Sequence, residues 1–361
     1  MKLVSLGAAA IALTVAAGLA RAQPALRISE SNLNLHDVRL QNGETVELLR
    51  LHYSTLGELR RDASGRIANA VLLLHGTTGT GKNFLAPGLA GNLFGPGQPL
   101  DASHYFVVLP DGIGAGESSK PSDRLGPRFP RYGYIDQVEM QHRLVTEGLG
   151  IEHLRLVLGT SMGCMQTWLW GERHLDMADT LIALGCMPTA VSGRNMLWRE
   201  IVMRAIRDDP DWHDGNYDPA RPPTHWLATA MPLIALMSGN PLRLQEAAPT
   251  RAEAVALFDR LVANGQTRDA NDILYSFQSS YDYDPGPELE KITAPLLAIN
   301  FADDEINPPD LNAMEPAIAR LRAGRYVLIP PGKTYGHQTL AHAEIWGHYV
   351  AEFLAEHPGA E

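Results

Sequence analysis

Six short apolar runs constrain this chain more than any other feature. They are "AVLLLH" (70–75), "YFVVLP" (105–110), "LRLVLG" (154–159), "TLIALG" (180–185), "PLLAIN" (295–300) and "RYVLIP" (325–330). Each is too short for a core helix, and the apolar residues stand together rather than alternating with polar ones. A half-exposed strand would alternate, so unbroken runs belong to strands buried on both faces. Such strands form a mostly parallel sheet whose crossovers are helices, and amphipathic stretches fill the intervals here. Upstream, "VELLRLHYSTLG" (46–57) does alternate and is expected to form an antiparallel edge. The expected fold class is α/β.

Between Cys186 and Pro295 this pattern breaks. "NMLWREIVMRAIRDDPDW" (195–212) and "TRAEAVALFDRLVANG" (250–265) have helical spacing, and the Pro-rich "DPARPPTHW" (218–226) separates them. A helical stretch inserted into a regular α/β chain is expected to cap the strand ends. The expected division is a core of residues 23–190 and 286–361 with a helical cap of residues 191–285. Residues 1–22 stand apart. Lys2 precedes an apolar run over 3–20, and Ala20-Arg21-Ala22 has the small-x-small form of a cleavage site. The expectation is a signal peptide cleaved after Ala22 and a periplasmic or secreted protein. The run is alanine-rich and short for a bilayer span, so no stable membrane anchor is expected.

The chain has 361 residues and a net charge of −11, with no dense run of Lys or Arg. Nucleic acid and anionic membrane surfaces need clustered positive charge, so neither is an expected partner. Cys164 and Cys186 are read as two buried thiols; a bridge between them is the alternative, since they flank neighbouring elements. No metal is expected: His-Glu-x-x-His and Cys/His pairs at ligand spacing are both missing from the sequence.

The third run leads directly into Gly159-Thr160-Ser161-Met162-Gly163 and then an apolar helix. A G-x-S-x-G pentapeptide is common, but between a buried strand and a helix it has the setting of a nucleophile elbow. A serine hydroxyl attacks only when a base takes its proton and an acid orients that base. The fifth run is followed by Asp303-Asp304-Glu305 and the sixth by a glycine-rich loop ending in Gly336-His337. Asp304 is the expected acid, because Ile306-Asn307-Pro308 follows it at suitable spacing, and His337 is the expected base. His342 and His348 read as ordinary helix residues. "HGTTGTGKNF" (75–84) imitates a phosphate loop, since Gly76, Gly81 and Lys82 fit G-x-x-x-x-G-K. Asn83 stands where Ser or Thr would hold magnesium. The loop is better suited to receive a transient oxyanion, with backbone donors at Thr77 (Thr78 second) and Met162.

With these residues placed, the chain resembles the homoserine O-acetyltransferase branch of the α/β-hydrolases. The likeness runs through "LHYSTLGELRRDASGRIANAVLLLHGTTG", "FVVLPDGIGAGESSKPS", "FPRYGYIDQVEMQHRLVTEGLGIEHLRLVLGTSMGCMQTW", "AIRDDPDWHDGNY", "DDEINPP" and "GHQTL". It implies a Ser161-Asp304-His337 triad, an acyl-serine intermediate, a helical cap, a homodimer through that cap, and no metal or organic cofactor. Two departures matter. Gln338 follows the histidine where that branch has Asp to receive an ammonium, and a neutral amide cannot replace it. Cys164 replaces the glycine usual after the elbow. Arg194 or Arg199 would meet a substrate carboxylate from above the serine, although a solvated helix arginine is the plainer reading of each. Trp168, Trp170, Trp198, Trp212 and Trp226 are read mainly as packing, in the core or between cap and core. The expected activity is that of an exported serine hydrolase acting on a small carboxylic ester or related acyl compound. An acyl (acetyl) transferase of the homoserine O-acetyltransferase type is the alternative.

Overall fold

The computed structural model describes residues 26–123 and 125–359, so the expected signal peptide lies outside the described residues. Eight strands form one sheet: β1 (Ile28–Arg39), β2 (Thr45–Leu56), β3 (Ala70–Leu74), β4 (Phe106–Pro110), β5 (Leu156–Thr160), β6 (Leu181–Leu184), β7 (Leu296–Phe301) and β8 (Gly324–Ile329). Their order is β1-β2-β4-β3-β5-β6-β7-β8. The β1–β2 and β2–β4 pairs are antiparallel, and β3 to β8 run parallel. All six apolar runs are strands, within two residues of their expected starts.

Among the described residues, ten α-helices accompany the sheet. Those of the core are α1 (Pro87–Leu93), α2 (Tyr134–Arg143), α3 (Met162–Arg173), α9 (Met314–Ile318) and α10 (Ala343–Glu356). The other five, α4 (Gly193–Arg207), α5 (Leu227–Ser238), α6 (Pro241–Ala247), α7 (Arg251–Gly265) and α8 (Ala270–Gln278), lie between β6 and β7. No helix among the described residues is long and apolar enough to cross a membrane.

The strand pleat explains why β3 needs an unbroken apolar sequence. Val71 and Leu73 pack on one face with Leu93 of α1 and Trp346 and Phe353 of α10. Leu72 and Leu74 pack on the other with Val138 of α2 and Trp168 and Leu169 of α3. Successive side chains point to opposite faces, so only residues apolar at every position suit a doubly covered strand. Each such buried side chain contributes about 1.5–3 kcal/mol.

The inserted helices keep a core of their own. Trp198, Val202 and Ile206 of α4 pack with Trp226 before α5, Met231 on α5, and Ile273 and Phe277 on α8. The second expected helix starts at a capping box, in which Thr250 and Glu253 satisfy each other's backbone N–H groups. Trp168 and Trp170 lie in the main core, and Trp198 and Trp226 in this second one, against which Trp212 is partly buried.

One expectation is corrected. Cys164 and Cys186 are not free thiols but form a disulfide, with Cα atoms 5.9 Å apart. Cys164 sits in the first turn of α3, which packs along β6, and Cys186 lies two residues beyond the end of β6. That packing brings them within bridging distance.

Candidate active site

Ser161 joins β5 to α3 with φ 54° and ψ −111°, a conformation that costs a side-chain-bearing residue about 1–3 kcal/mol. Its surroundings enforce it. A Cβ on Gly159 would collide with the Gly163 carbonyl, and one on Gly163 with the Leu74 carbonyl. Strand and helix therefore approach so closely that both flanking positions exclude a side chain. The turn lifts the Ser161 hydroxyl toward the C-terminal ends of the parallel strands, where β7 and β8 deliver the other two side chains.

His337 Nε2 lies 2.8 Å from Ser161 Oγ, and His337 Nδ1 lies 2.7 Å from Asp304 Oδ2. Ser161, His337 and Asp304 thus form one hydrogen-bonded line. Asp304 is 1% exposed. Burial opposes its charge, but the facing His337 and donors from Asn307 and the Ile306 N–H outweigh that cost and hold its carboxyl below its ordinary value. A charged Asp304 fixes the proton of neutral His337 on Nδ1, leaving Nε2 as an acceptor for the serine hydroxyl.

Asp303 faces elsewhere. It accepts from Thr334 Oγ1 at 2.8 Å and the Gly336 N–H at 3.1 Å, and from Asn240 of the cap. It thereby anchors the loop that carries His337. The sequence reading also passed over Asn307, whose Nδ2 donates to Asp304 Oδ2 at 3.1 Å and to the Gly185 carbonyl at 3.0 Å. Its place after the acid is visible in the sequence, but only the fold shows its side chain tying the acid to the end of β6. His75 is another omission. The Gly112 N–H donates to its Nε2 at 2.9 Å, which leaves Nδ1–H to donate to the Gly76 carbonyl at 2.8 Å and brace the loop beside Ser161. Burial lowers its pKa and keeps the ring neutral in that role.

Thr77 lies on that loop and Met162 opens α3, whose first N–H groups have no partner inside the helix. Thr77, Ser161 and His337 line one cavity of about 110 Å³, with Arg199, Trp198 and Phe277 of the cap above them. Lys82 turns away and pairs with Glu30 at 2.9 Å. Asn83 closes the next turn by accepting from the Thr80 N–H at 2.6 Å. Larger hollows exist elsewhere, about 600 Å³ beside Arg131 and about 920 Å³ beside Arg27, but neither is lined by Ser161 or His337. The small cavity is lined by both Ser161 and His337.

The three expected substrate contacts separate. Arg194 is exposed and pairs with Glu305. Gln338 donates to Ser238 Oγ at 3.3 Å across to the cap. Arg199 is buried against the cavity. Among the described residues, one group of metal-type ligands converges, Asp209, Asp211 and His225 in the cap. None of the three lines the cavity at Ser161, and Asp209 already accepts from the Trp226 N–H at 2.9 Å.

A strand-borne serine elbow facing a histidine and a buried acid is the architecture of one enzyme superfamily, and residues 69–336 match it: the chain belongs to the α/β hydrolase fold family. Among its relatives is the homoserine O-acetyltransferase of Chlorobium chlorochromatii, 34% identical over 200 residues, which are 52% of this chain and 52% of that one. The chain thus spans about half the length of the curated relatives it matches. Among solved structures, homoserine O-acetyltransferase from Bacillus anthracis superposes with a TM-score of 0.80 at 20% identity, covering 91% of this chain and 97% of that one. An acetylester hydrolase from Corynebacterium glutamicum also reaches 0.80 at 20% identity, covering 91% and 96%. Those two likenesses establish the shared fold.

Proposed function

We propose that this chain is a serine hydrolase that cleaves small carboxylic esters through an acyl-serine intermediate, with Ser161, His337 and Asp304 as its triad. The observation that carries the reading is the 2.8 Å contact of Ser161 Oγ with His337 Nε2, on a ring held at 2.7 Å by Asp304. His337 takes the hydroxyl proton as Oγ bonds to the acyl carbon. Negative charge moves onto the carbonyl oxygen, facing the N–H groups of Met162 and Thr77. The tetrahedral species collapses, and His337 returns the proton to the departing alcohol. Water then repeats the sequence on the acyl-serine and releases the acid.

A second reading has its own support. The curated relatives bear the name homoserine O-acetyltransferase, so an alcohol acceptor in place of water is the competing proposal. Two features favour water. Gln338 offers no negative charge to an ammonium. Export, which we propose from residues 1–22 together with a homodimer through the cap, would separate the chain from cytoplasmic acetyl-CoA. The deciding experiment incubates purified protein with p-nitrophenyl acetate, and separately with acetyl-CoA with or without homoserine. The hydrolase reading expects nitrophenol and acetate from the first, with Ser161 labelled by a fluorophosphonate. Release of CoA that depends on homoserine would establish the transferase instead.

A further inference from the structure

Three separate ties to the triad end on one short stretch of chain. β6 is the shortest of the eight strands, and the residues between its end at Leu184 and the start of α4 at Gly193 form neither helix nor strand. Leu184, Gly185 and Cys186 nevertheless meet all three members of the site. The Ser161 N–H donates to the Leu184 carbonyl at 2.9 Å, which fixes the nucleophile's turn. Asn307 Nδ2 donates to the Gly185 carbonyl at 3.0 Å and to Asp304 Oδ2 at 3.1 Å, so the acid hangs from the next residue. The turn that follows His337, Gln338–Ala341, packs there as well: a Cβ on Gly185 would stand 2.8 Å from Leu340. Asn300 of β7 adds a hydrogen bond from its Nδ2 to the Cys186 carbonyl at 3.1 Å.

Hydrogen bonds alone would leave this stretch open to whatever the cap does. The chain leaves the core here for α4, and the Met187 carbonyl already takes a hydrogen bond at 2.8 Å from Tyr283, at the other end of the insertion. The Cys164–Cys186 disulfide ties the stretch to the core side. Cys164 stands three residues past Ser161 in the first turn of α3, and both cysteines are buried. The bridge therefore joins the helix that begins at the nucleophile to the stretch from which the acid and the histidine turn are held. A link closing 22 residues contributes about 3 kcal/mol to stability whatever it joins. Its placement where the three ties meet is what stability alone does not require.

We infer that the Cys164–Cys186 disulfide is a positioning device for the triad, holding Asp304 and His337 in register with Ser161 against displacement by the cap. The inference rests on the hydrolase reading above. Neither cysteine lines the cavity, so the bridge acts through the turn at Ser161 and through Asn307 rather than on the substrate. Proton transfer between Ser161 and His337 over 2.8 Å tolerates little drift, and a misplacement of about 1 Å can cost about a hundredfold in rate. The apolar walls Trp198 and Phe277 belong to the cap's own core and stay in place without the bridge.

The test uses the full chain with Cys164→Ala and Cys186→Ala together, at a temperature where near-ultraviolet circular dichroism shows it folded. With p-nitrophenyl acetate, kcat should fall by about ten- to a hundredfold while KM changes by less than about threefold. Labelling of Ser161 by a fluorophosphonate should slow by a similar factor. Cys164→Ala with Cys186→Val refills part of the lost volume and serves if the first variant does not fold. A folded variant with the wild-type kcat and labelling rate overturns the inference and leaves the bridge a staple for stability. A rise in KM at unchanged kcat overturns it too. Should neither variant fold, wild type is treated with a phosphine and its activity followed against free thiols. Activity lost with a native spectrum and regained on reoxidation by oxidised glutathione supports the inference; activity kept with both cysteines reduced overturns it.

The His337–Asp304 hydrogen bond, 2.7 Å long, supplies a readout without turnover through its far-downfield proton resonance. The signal should be sharp in wild type and broadened or lost in the variant. That loss, in proteins that hydrolyse no ester, keeps the inference and overturns the hydrolase reading. Hydrolysis by wild type, with resonance and kcat unchanged in the variant, does the reverse.

Discussion

The two walls of the cavity at Ser161 are built by different means. The lower wall belongs to the sheet: Ser161 and Asp304 follow the buried strands β5 and β7, His337 follows the partly exposed edge strand β8, and these strands set their hydrogen-bond spacings. The upper wall belongs to the cap, which presents Trp198, Arg199 and Phe277 from helices that keep a separate core. Exposure differs as well. Leu197, Leu236, Leu242, Val255 and Phe258, all in cap helices, are exposed, whereas β3 and β5 expose no apolar side chain. A scaffold with fixed register can hold reacting groups to a fraction of an ångström. An insertion with its own core can change residue by residue above them without disturbing that register. On the proposed function, chemistry would reside in the lower wall and choice of substrate in the upper.

Breaking the lower wall should give the largest effects. Ser161→Ala should reduce hydrolysis of p-nitrophenyl acetate by about 10⁴- to 10⁶-fold with Tm nearly unchanged. Initial rates above one-hundredth of wild type would show that chemistry lies elsewhere. Gly163→Ala places a methyl against the Leu74 carbonyl and should cost about 3 kcal/mol or more, read as a fall in Tm or loss of soluble protein. A variant as stable as wild type would mean that elbow and strand are less tightly joined than described.

The disulfide tests the seam between the two walls, since Cys186 leads from β6 toward the cap. Replacing Cys164 and Cys186 together by Ala removes a link across 22 residues and should cost about 3 kcal/mol. Denaturant midpoints with and without reductant measure it, and equal midpoints would remove the bond from the account.

Glu172 on α3 sharpens the comparison most gently, because it does not line the cavity at Ser161. Burial, with Glu288 and Asp284 nearby, raises its pKa to about 8, against the opposing pull of Lys291 and Arg173. The folded form binds this proton more tightly than the unfolded chain does. Its contribution is therefore complete below about pH 4.5 and declines as pH rises toward about 8. Relative to wild type, Glu172→Gln should gain stability on the order of a kcal/mol between pH 6 and pH 8, read as a smaller fall in Tm over that interval. Parallel pH profiles for the two proteins would refute it.

The parallel strands could be read from the chain because a doubly covered strand is apolar at every position, which few other elements are. β1 escaped notice for the opposite reason: "ISESNLNLHDVR" is an outer strand with most residues exposed, and its polarity resembles a loop. The serine, acid and histidine were legible because each lies in the loop after a recognisable strand. Asp303, Asn307 and His75 were not, since their roles depend on which carbonyl or N–H a folded loop brings near. The cysteine pairing went the wrong way because the packing of α3 on β6, rather than their separation in sequence, decides whether two sulfurs meet.

The contact between Asp303 and Asn240 bears on how material enters and leaves. Asn240 caps α6 by accepting from the Leu242 and Arg243 N–H groups, and it donates to the acid that holds the Gly336 N–H. At Gly336 the backbone runs so close to Gly239 that a Cβ would collide with the Gly239 carbonyl. Cap and histidine loop are clamped together, so lifting one displaces His337. The cap is in that respect a roof and not a lid, pinned to the loop beneath it at Asn240 and Gly239.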